Sequence, residues 1–122
     1  MTRGGRALAL LAIVAVAPAS AEARQLCSAG DTCVAVERRG GAIVLSIGAS
    51  PLAGPRYRLC VRVPDRSHAC RRFRLRGRGE IVGSSVRWHR HFPDRGPGVY
   101  RARWNGFPRR GLAFRVRESD RR

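Results

Sequence analysis

Four cysteines are the residues of this sequence whose chemistry follows most directly from their positions: Cys27, Cys33, Cys60 and Cys70. Cys60 and Cys70 lie in two alternating runs joined by a Pro-Asp turn, so a hairpin would place them opposite each other. A cross-strand disulfide is then reasonable if the pair is of the non-hydrogen-bonded kind, and Cys27 would pair with Cys33 by default. A redox-active thiol pair would need a C-x-x-C spacing or a helix N-terminus, and the sequence offers neither. We therefore predict two structural disulfides, although other pairings are possible in principle.

Regularly spaced arginines surround the second cysteine pair in the stretch 57–76. Strand periodicity turns Tyr57, Leu59 and Val61 to one side of the predicted hairpin and basic residues to the other. The predicted anion-binding residues on that outer side are Arg58, Arg62, Arg72, Arg74 and Arg76. Successive outward positions would stand about 7 Å apart along each strand, and positions on neighbouring strands about 5 Å apart. Such a lattice suits a polyanion, since guanidinium groups bind phosphate, sulfate and carboxylate through paired hydrogen bonds.

Two histidines, His89 and His91, lie two residues apart on a predicted strand and would point the same way, as a metal-binding pair does. Arg87 and Arg90 flank them in sequence. A dense cationic surface repels a divalent ion, so we expect solvated histidines, no metal site and no cofactor.

Asp65, Ser67 and His68 are the residues from which a hydrolytic site could be built. They fall within one predicted turn, where local hydrogen bonding usually occupies such side chains. The sequence also lacks the Gly-x-Ser-x-Gly elbow of an activated serine. We predict no catalytic residues and no enzymatic activity.

The elements that must position these residues are short strands. Period-2 alternation recurs along the chain, whereas no stretch keeps helical spacing without an interrupting Gly, Pro or Arg. The predicted strands are 33–38, 42–47, 57–63, 70–76, 81–89, 99–105 and 112–117. Short strands with one apolar face each predict an all-β fold, an immunoglobulin-like sandwich of two antiparallel sheets. A small barrel is the alternative.

Residues 1–23 have the pattern of a secretory signal peptide. Two arginines precede an apolar run over 7–17, and Ala21 and Ala23 fit a small-x-small cleavage site. The run is shorter than the roughly 20 residues that cross a bilayer, so we expect no transmembrane segment after cleavage. Residues 24–122 then form a single domain with a modest core. The even number of cysteines agrees with a secreted, extracellular or cell-envelope location.

Charge is the strongest compositional signal. The formal net charge is +17, and all 25 basic residues other than histidine are arginine, because the sequence contains no lysine. A GC-rich genome explains the absence of lysine no less well than selection for guanidinium groups does. It accounts less well for the excess of positive charge, since such genomes also supply Asp and Glu. An anionic environment is therefore a fair inference from the net charge.

The last third of the chain carries two structural motifs. Tyr100 follows a Gly-Pro-Gly segment, as does the tyrosine that hydrogen-bonds back to the preceding corner in immunoglobulin-like sandwiches. Gly98, Tyr100 and Trp104 form a G-x-Y-x-x-x-W pattern, and an alternating apolar strand follows over 112–116. The inter-sheet cysteine of the immunoglobulins is absent, because Ala102 stands two residues after the tyrosine.

With these motifs the chain, over roughly 57–116, resembles small exported β-sandwich proteins of actinobacteria. The resemblance implies the architecture and export to the cell surface or beyond it. It implies no particular activity, because fold and function are separable.

Taken together, the residues favour a secreted, non-enzymatic and strongly cationic module that associates with anionic cell-envelope polymers or lipid head groups. Nucleic acid is disfavoured, since the aromatic residues take the inward parity and stacking on bases needs exposed rings. The alternative is a structural or protein-interaction domain whose arginine surface serves only solubility. A protein partner would then meet an edge strand, and its identity does not follow from the sequence.

Overall fold

The computed structural model describes residues 24–121, so the predicted signal peptide lies outside the described residues. Within them the chain forms eight strands and one helical turn. The strands are β1 (Arg24–Cys27), β2 (Cys33–Arg39), β3 (Ala42–Ala49), β4 (Arg56–Arg62), β5 (His68–Arg74), β6 (Val82–Arg87), β7 (Gly98–Trp104) and β8 (Phe107–Val116). The helical turn α1 (Trp88–His91) follows β6, and single 3₁₀ turns lie at Pro51–Ala53 and Glu118–Arg121.

The strands form two antiparallel sheets packed face to face, which confirms the predicted sandwich. Sheet I has the order β1-β2-β3-β6, and sheet II has the order β5-β4-β7-β8. Hairpins join β2 to β3, β4 to β5 and β7 to β8. The contact between β4 and β7 joins strands that are far apart in sequence, and it brings the two halves of sheet II together.

The core lies between the sheets and is built from the inward side chains that the alternation predicts. Tyr57, Leu59 and Val61 of β4 are at most 2% exposed. Trp88 and Tyr100 are completely buried, and their rings meet edge to face with centroids 5.2 Å apart. Burial of a large apolar side chain stabilises the folded state by about 1.5–3 kcal/mol, so this layer stabilises the packing of the two sheets.

Tyr100 makes the predicted corner. Its hydroxyl donates to the Gly96 carbonyl oxygen at 2.8 Å and accepts from the Arg95 N–H at 2.8 Å. The side chain at the start of β7 therefore fixes the loop that leads into the strand.

Both predicted disulfides are present, Cys27–Cys33 and Cys60–Cys70. In each pair the cysteines are directly opposed in neighbouring strands, with Cα atoms 4.0 Å apart. A short separation of this kind is typical of the non-hydrogen-bonded type of pair. Two disulfides fit an oxidising, extracytoplasmic compartment.

The predicted strand 81–89 was wrong at its C-terminal end, because β6 stops at Arg87 and α1 follows. The N–H of Phe92 donates to the Trp88 carbonyl oxygen at 3.0 Å, which closes one helical turn. Trp88 and Phe92 are both buried and stand four residues apart, so the core is filled here at helical rather than strand spacing.

Two further strand predictions differ from the structure. β1 was not predicted, because all its residues are exposed and no apolar alternation marks it. β8 begins at Phe107, within the segment 106–111 that was predicted to be a break. Trp104 pairs with Phe107 while Ala102 pairs with Leu112, so the extra residues of β8 form a bulge instead of a loop.

Replacing Tyr100 by Phe should lower the free energy of unfolding by about 1–2 kcal/mol, because the Gly96 carbonyl and the Arg95 N–H lose their partner. Urea or thermal unfolding at neutral pH measures the change. Val99→Ala, at a half-exposed neighbouring position, is the control and should change stability much less. Equal stability of Tyr100→Phe and the wild type would contradict a structural role for the corner.

Candidate anion-binding site

Three pairs of arginines face each other directly across the strands of sheet II. Arg56 is opposite Arg74, Arg58 is opposite Arg72, and Arg62 is opposite Arg101. They share the outer face of the sheet with Arg103, because the inward positions between them hold the core residues. We call this set the arginine face; its members are Arg56, Arg58, Arg62, Arg72, Arg74, Arg101 and Arg103, all exposed.

Four of the five predicted anion-binding residues lie on the arginine face: Arg58, Arg62, Arg72 and Arg74. Arg76 does not, because β5 ends at Arg74 and Leu75 turns into the core. The Arg76 N–H and carbonyl bond to Gly83 of β6 at 2.9 and 2.8 Å, so Arg76 lies where the chain crosses to sheet I.

Sequence reasoning did not place Arg56, Arg101 and Arg103 beside the predicted residues. The outward parity of Arg101 and Arg103 was readable from the alternation in β7. Their neighbours were not, because only the long-range pairing of β4 with β7 sets Arg101 beside Arg62. Arg56 belongs to β4 because that strand begins one residue earlier than predicted.

The disulfide Cys60–Cys70 lies in the middle of the arginine face. Arg103 stands opposite Cys60 on the other side of β4. An N–H of Arg58 Nη2 lies 3.5 Å from Cys70 Sγ, within the range of a weak hydrogen bond to sulfur. Because the disulfide is more compact than the arginine side chains around it, the surface is depressed there.

Backbone carbonyls at the β8 bulge bind two members of the arginine face. Arg101 Nη1 donates to the carbonyl oxygens of Arg110 and Gly111 at 3.3 and 3.4 Å. Arg103 Nη1 donates to the Arg109 carbonyl oxygen at 3.3 Å. These guanidinium groups are thus oriented by neutral dipoles, and their charges are not neutralised.

Two depressions on the face meet at the disulfide. One of about 560 Å³ reaches Arg56, Arg58 and Arg72, and one of about 540 Å³ reaches the β8 bulge. They share the lining residues Cys60, His68 and Arg103, so the two depressions adjoin at the disulfide, and we call them together the groove. Among residues 24–121, no carboxylate lines either depression.

The ion pairs of the described chain lie elsewhere. Arg38 binds Asp120 at 2.7 Å, and Arg121 binds Asp94 at 2.8 Å and Glu118 at 2.7 Å. Within residues 24–121 none of the ion pairs includes an arginine of the arginine face. The positive field of the face is therefore not cancelled by carboxylates in direct contact with it.

These pairs set the ionisation of the carboxylates. The hydrogen bonds from Arg38 hold the pKa of Asp120 below its ordinary value despite partial burial. Burial opposes ionisation of Asp94, but hydrogen bonds from Arg121 and the Gly96 N–H outweigh it and lower the pKa. Both groups therefore stay charged at neutral pH, bound to arginines outside the arginine face.

The outer face of sheet I is different in composition. Ser46 and Ser85 share a hydrogen bond of 2.9 Å there, and Arg39 forms an ion pair with Glu37. Arg87 is an exposed arginine on this side. Apart from Val44, the other outward positions of sheet I hold small or polar residues, so the outward arginines concentrate on sheet II.

The two histidines predicted to point the same way on one strand do not, because both lie on α1. His89 Nε2 is 3.7 Å from an Asp94 carboxylate oxygen, while the His91 ring meets Phe73 edge to face at 5.1 Å. Burial and the neighbouring arginines Arg71 and Arg90 lower the pKa of His91. Within residues 24–121 no cluster of three or more His, Cys, Asp or Glu residues is arranged to bind a metal ion.

The turn between β4 and β5 satisfies its own polar groups, as its composition predicted. Asp65 Oδ1 accepts from the Ser67 N–H at 3.0 Å and from the Ser67 hydroxyl at 2.6 Å. These bonds lower the pKa of Asp65 and hold it to its own turn.

Comparison of the chain with known protein families, curated proteins and solved structures finds no match. Among the described residues, no helix has the length and apolar character needed to cross a membrane.

Replacing Asp120 by Asn should lower the free energy of unfolding at neutral pH and change it little in acid. The folded pKa of Asp120 lies below its ordinary value near 3.8, so the stabilisation is complete above that value and is lost as the pH falls through the folded pKa. We expect a deficit of about 1–2 kcal/mol at pH 7 that shrinks as the pH falls below 3.8 and through the folded pKa of Asp120, measured by urea unfolding across pH.

Asp31→Asn, at an exposed loop position, is the matched control for the removal of one carboxylate. A deficit of Asp120→Asn that keeps its size in acid would show that the bond to Arg38 is not its source.

Proposed function

We propose that this protein is an exported, non-enzymatic module that associates with anionic polymers of the cell envelope, or with anionic lipid head groups, through the arginine face. The observation that carries the proposal is the set of opposed pairs Arg56–Arg74, Arg58–Arg72 and Arg62–Arg101, on a face whose groove is lined by no carboxylate of the described chain. Like charges directly opposite each other in a sheet are destabilising, by about 0.2–1 kcal/mol a pair. A bound polyanion would offset that repulsion, because its negative groups attract both arginines of each pair.

A polymer fits the geometry better than a flat bilayer. The arginine side chains border a groove that runs along β4, and a linear chain can follow a groove. Among the described residues the most exposed large apolar side chain, Leu52 at 95%, belongs to the Pro51–Ala53 turn and not to the arginine face. A membrane-binding face would be expected to combine its cations with apolar side chains that enter the lipid.

Nucleic acid is the less favoured polyanion. Base stacking needs exposed aromatic rings, and the rings nearest the face are turned inward. Tyr57 and Trp104 are at most 2% exposed. The face thus offers charge and hydrogen-bond donors but no stacking platform.

The distribution of arginines also bears on the alternative, a protein-interaction domain whose charge serves only solubility. Solubility needs no particular arrangement of charge, and dispersed arginines would avoid the repulsion. Concentration on sheet II supports binding. The relation to exported immunoglobulin-like proteins of actinobacteria is part of the proposal, and the Tyr100 corner supports it.

The test is retention on an immobilised linear polyphosphate compared with an uncharged polymer. Retention should fall steeply with salt, because binding releases counterions. The double variant Arg58→Gln, Arg72→Gln should lose roughly 30-fold in affinity at low salt, on about 1 kcal/mol per arginine. Its free energy of unfolding should stay equal or rise by about 0.2–1 kcal/mol, since a repulsive pair is removed.

Arg24→Gln, Arg87→Gln is the matched control, because it removes the same charge from sheet I. Equal losses in the two double variants would indicate attraction by net charge alone and would contradict a binding face. Retention that ignores salt would contradict the electrostatic mechanism itself.

A further inference from the structure

The half of the groove beside the β8 bulge differs from the other half in how its arginines are held. Basic residues from each strand of sheet II meet there: the depression of about 540 Å³ is lined by Arg62, His68, Arg101, Arg103, Arg109 and Arg110, together with Cys60 and Gly111. Guanidinium groups therefore approach one place from β4, β7 and β8.

Two of these groups are oriented before any ligand arrives. Arg101 and Arg103 each use Nη1 to bind carbonyl oxygens of the bulge. A guanidinium group has further N–H donors on Nε and Nη2, and these remain for a ligand. Fixing the donors in advance reduces the entropy that binding would otherwise lose.

The bulge can hold Arg101 only because residue 111 is glycine. Gly111 has a φ of +80°, a conformation that side chains disfavour, and a Cβ added there would lie 2.8 Å from Arg101 Cβ. The close approach brings the carbonyl oxygens of β8 to the arginine. Bulges are often placed where a side chain has to be aimed.

The directions of the arginine N–H donors determine which geometry of anion the depression can bind. A carboxylate presents its oxygens in one plane, which a single guanidinium fork satisfies. Donors that converge from separate strands match an anion whose oxygens point in several directions. Phosphate and sulfate groups have that tetrahedral arrangement.

We propose that the depression beside the β8 bulge is a subsite for one tetrahedral oxyanion, a phosphate or sulfate group carried by the polymer. This inference rests on the proposed function and specifies it. The subsite anchors one group, and the other half of the groove, across the disulfide, binds the following part of the polymer through Arg56, Arg58 and Arg72.

The experiment uses the exported protein with both disulfides formed and follows arginine Nε–H signals by NMR at constant ionic strength. The probes are inorganic phosphate, inorganic sulfate and acetate. Phosphate and sulfate should shift the signals of Arg101 and Arg103 with at least tenfold higher affinity than acetate. Equal response to acetate would overturn the tetrahedral preference.

Two double variants locate the effect. Arg101→Gln, Arg103→Gln should lose at least tenfold in phosphate affinity, whereas Arg56→Gln, Arg74→Gln removes the same charge from the same face and should lose less than twofold. Equal losses would mean a diffuse field with no subsite. That result would leave the proposed function standing, because retention of the wild type on polyphosphate tests it separately.

A charge-preserving variant covers the case in which the glutamine variants fail to fold. Arg101→Lys, Arg103→Lys keeps the positive charge but cannot make the same fork, so it should retain binding to polyphosphate and lose the preference for phosphate over acetate. A preference that survives this change would overturn the subsite.

The source of the anion is decided by comparing polyphosphate, vesicles that contain phosphatidylglycerol, and free phosphate. We expect the polymer to bind more tightly than free phosphate at equal phosphate concentration, since it occupies both halves of the groove. Binding to vesicles but not to polyphosphate would assign the subsite to a lipid head group and overturn its assignment to a polymer.

Discussion

Repulsion between arginines that face each other across neighbouring strands is the constraint that the fold has to meet. Each opposed pair costs about 0.2–1 kcal/mol. On the other side of the same strand, Tyr57, Leu59 and Val61 are buried, and each such side chain contributes about 1.5–3 kcal/mol. The core therefore outweighs the repulsion, and sheet II can carry a charged outer face without loss of its structure.

The register of strand pairing matters more for stability in this sheet than in a sheet with a neutral outer face. A shift of register by one residue would turn the arginines of β4 toward the core and its apolar residues toward water. The Cys60–Cys70 disulfide joins directly opposed positions of β4 and β5, so it excludes that shift for this hairpin. Asn105 acts at the other end of β4, where its side chain and backbone bond to the backbone of Arg58 at 2.8 Å. A charged face thus depends on a fixed register.

Local pattern was enough to predict one part of this structure. The alternation around Tyr57, the opposed cysteines and the corner at Tyr100 depend on neighbours in sequence or on a single hairpin. The groove depends on long-range pairing, because Arg101 joins Arg62 only when β7 lies beside β4. The bulge at Gly111 falls in a segment predicted to be a break, because a glycine and a proline signal a loop as readily as an irregular strand.

Asp94 and Asp120 do not neutralise the arginine face, because both carboxylates bind arginines outside it. Asp94 and Asp120 accept hydrogen bonds from Arg121 and Arg38, and these bonds keep both carboxyl groups ionised and occupied. A carboxylate held by an arginine outside the arginine face does not neutralise the arginines of that face. Salt at physiological concentration largely screens exposed charges that lie more than about 8 Å apart, so the field over the groove is set mainly by the groove's own residues. A ligand that approaches the disulfide therefore meets positive charge from both halves of the face, with the most firmly positioned donors at the β8 bulge.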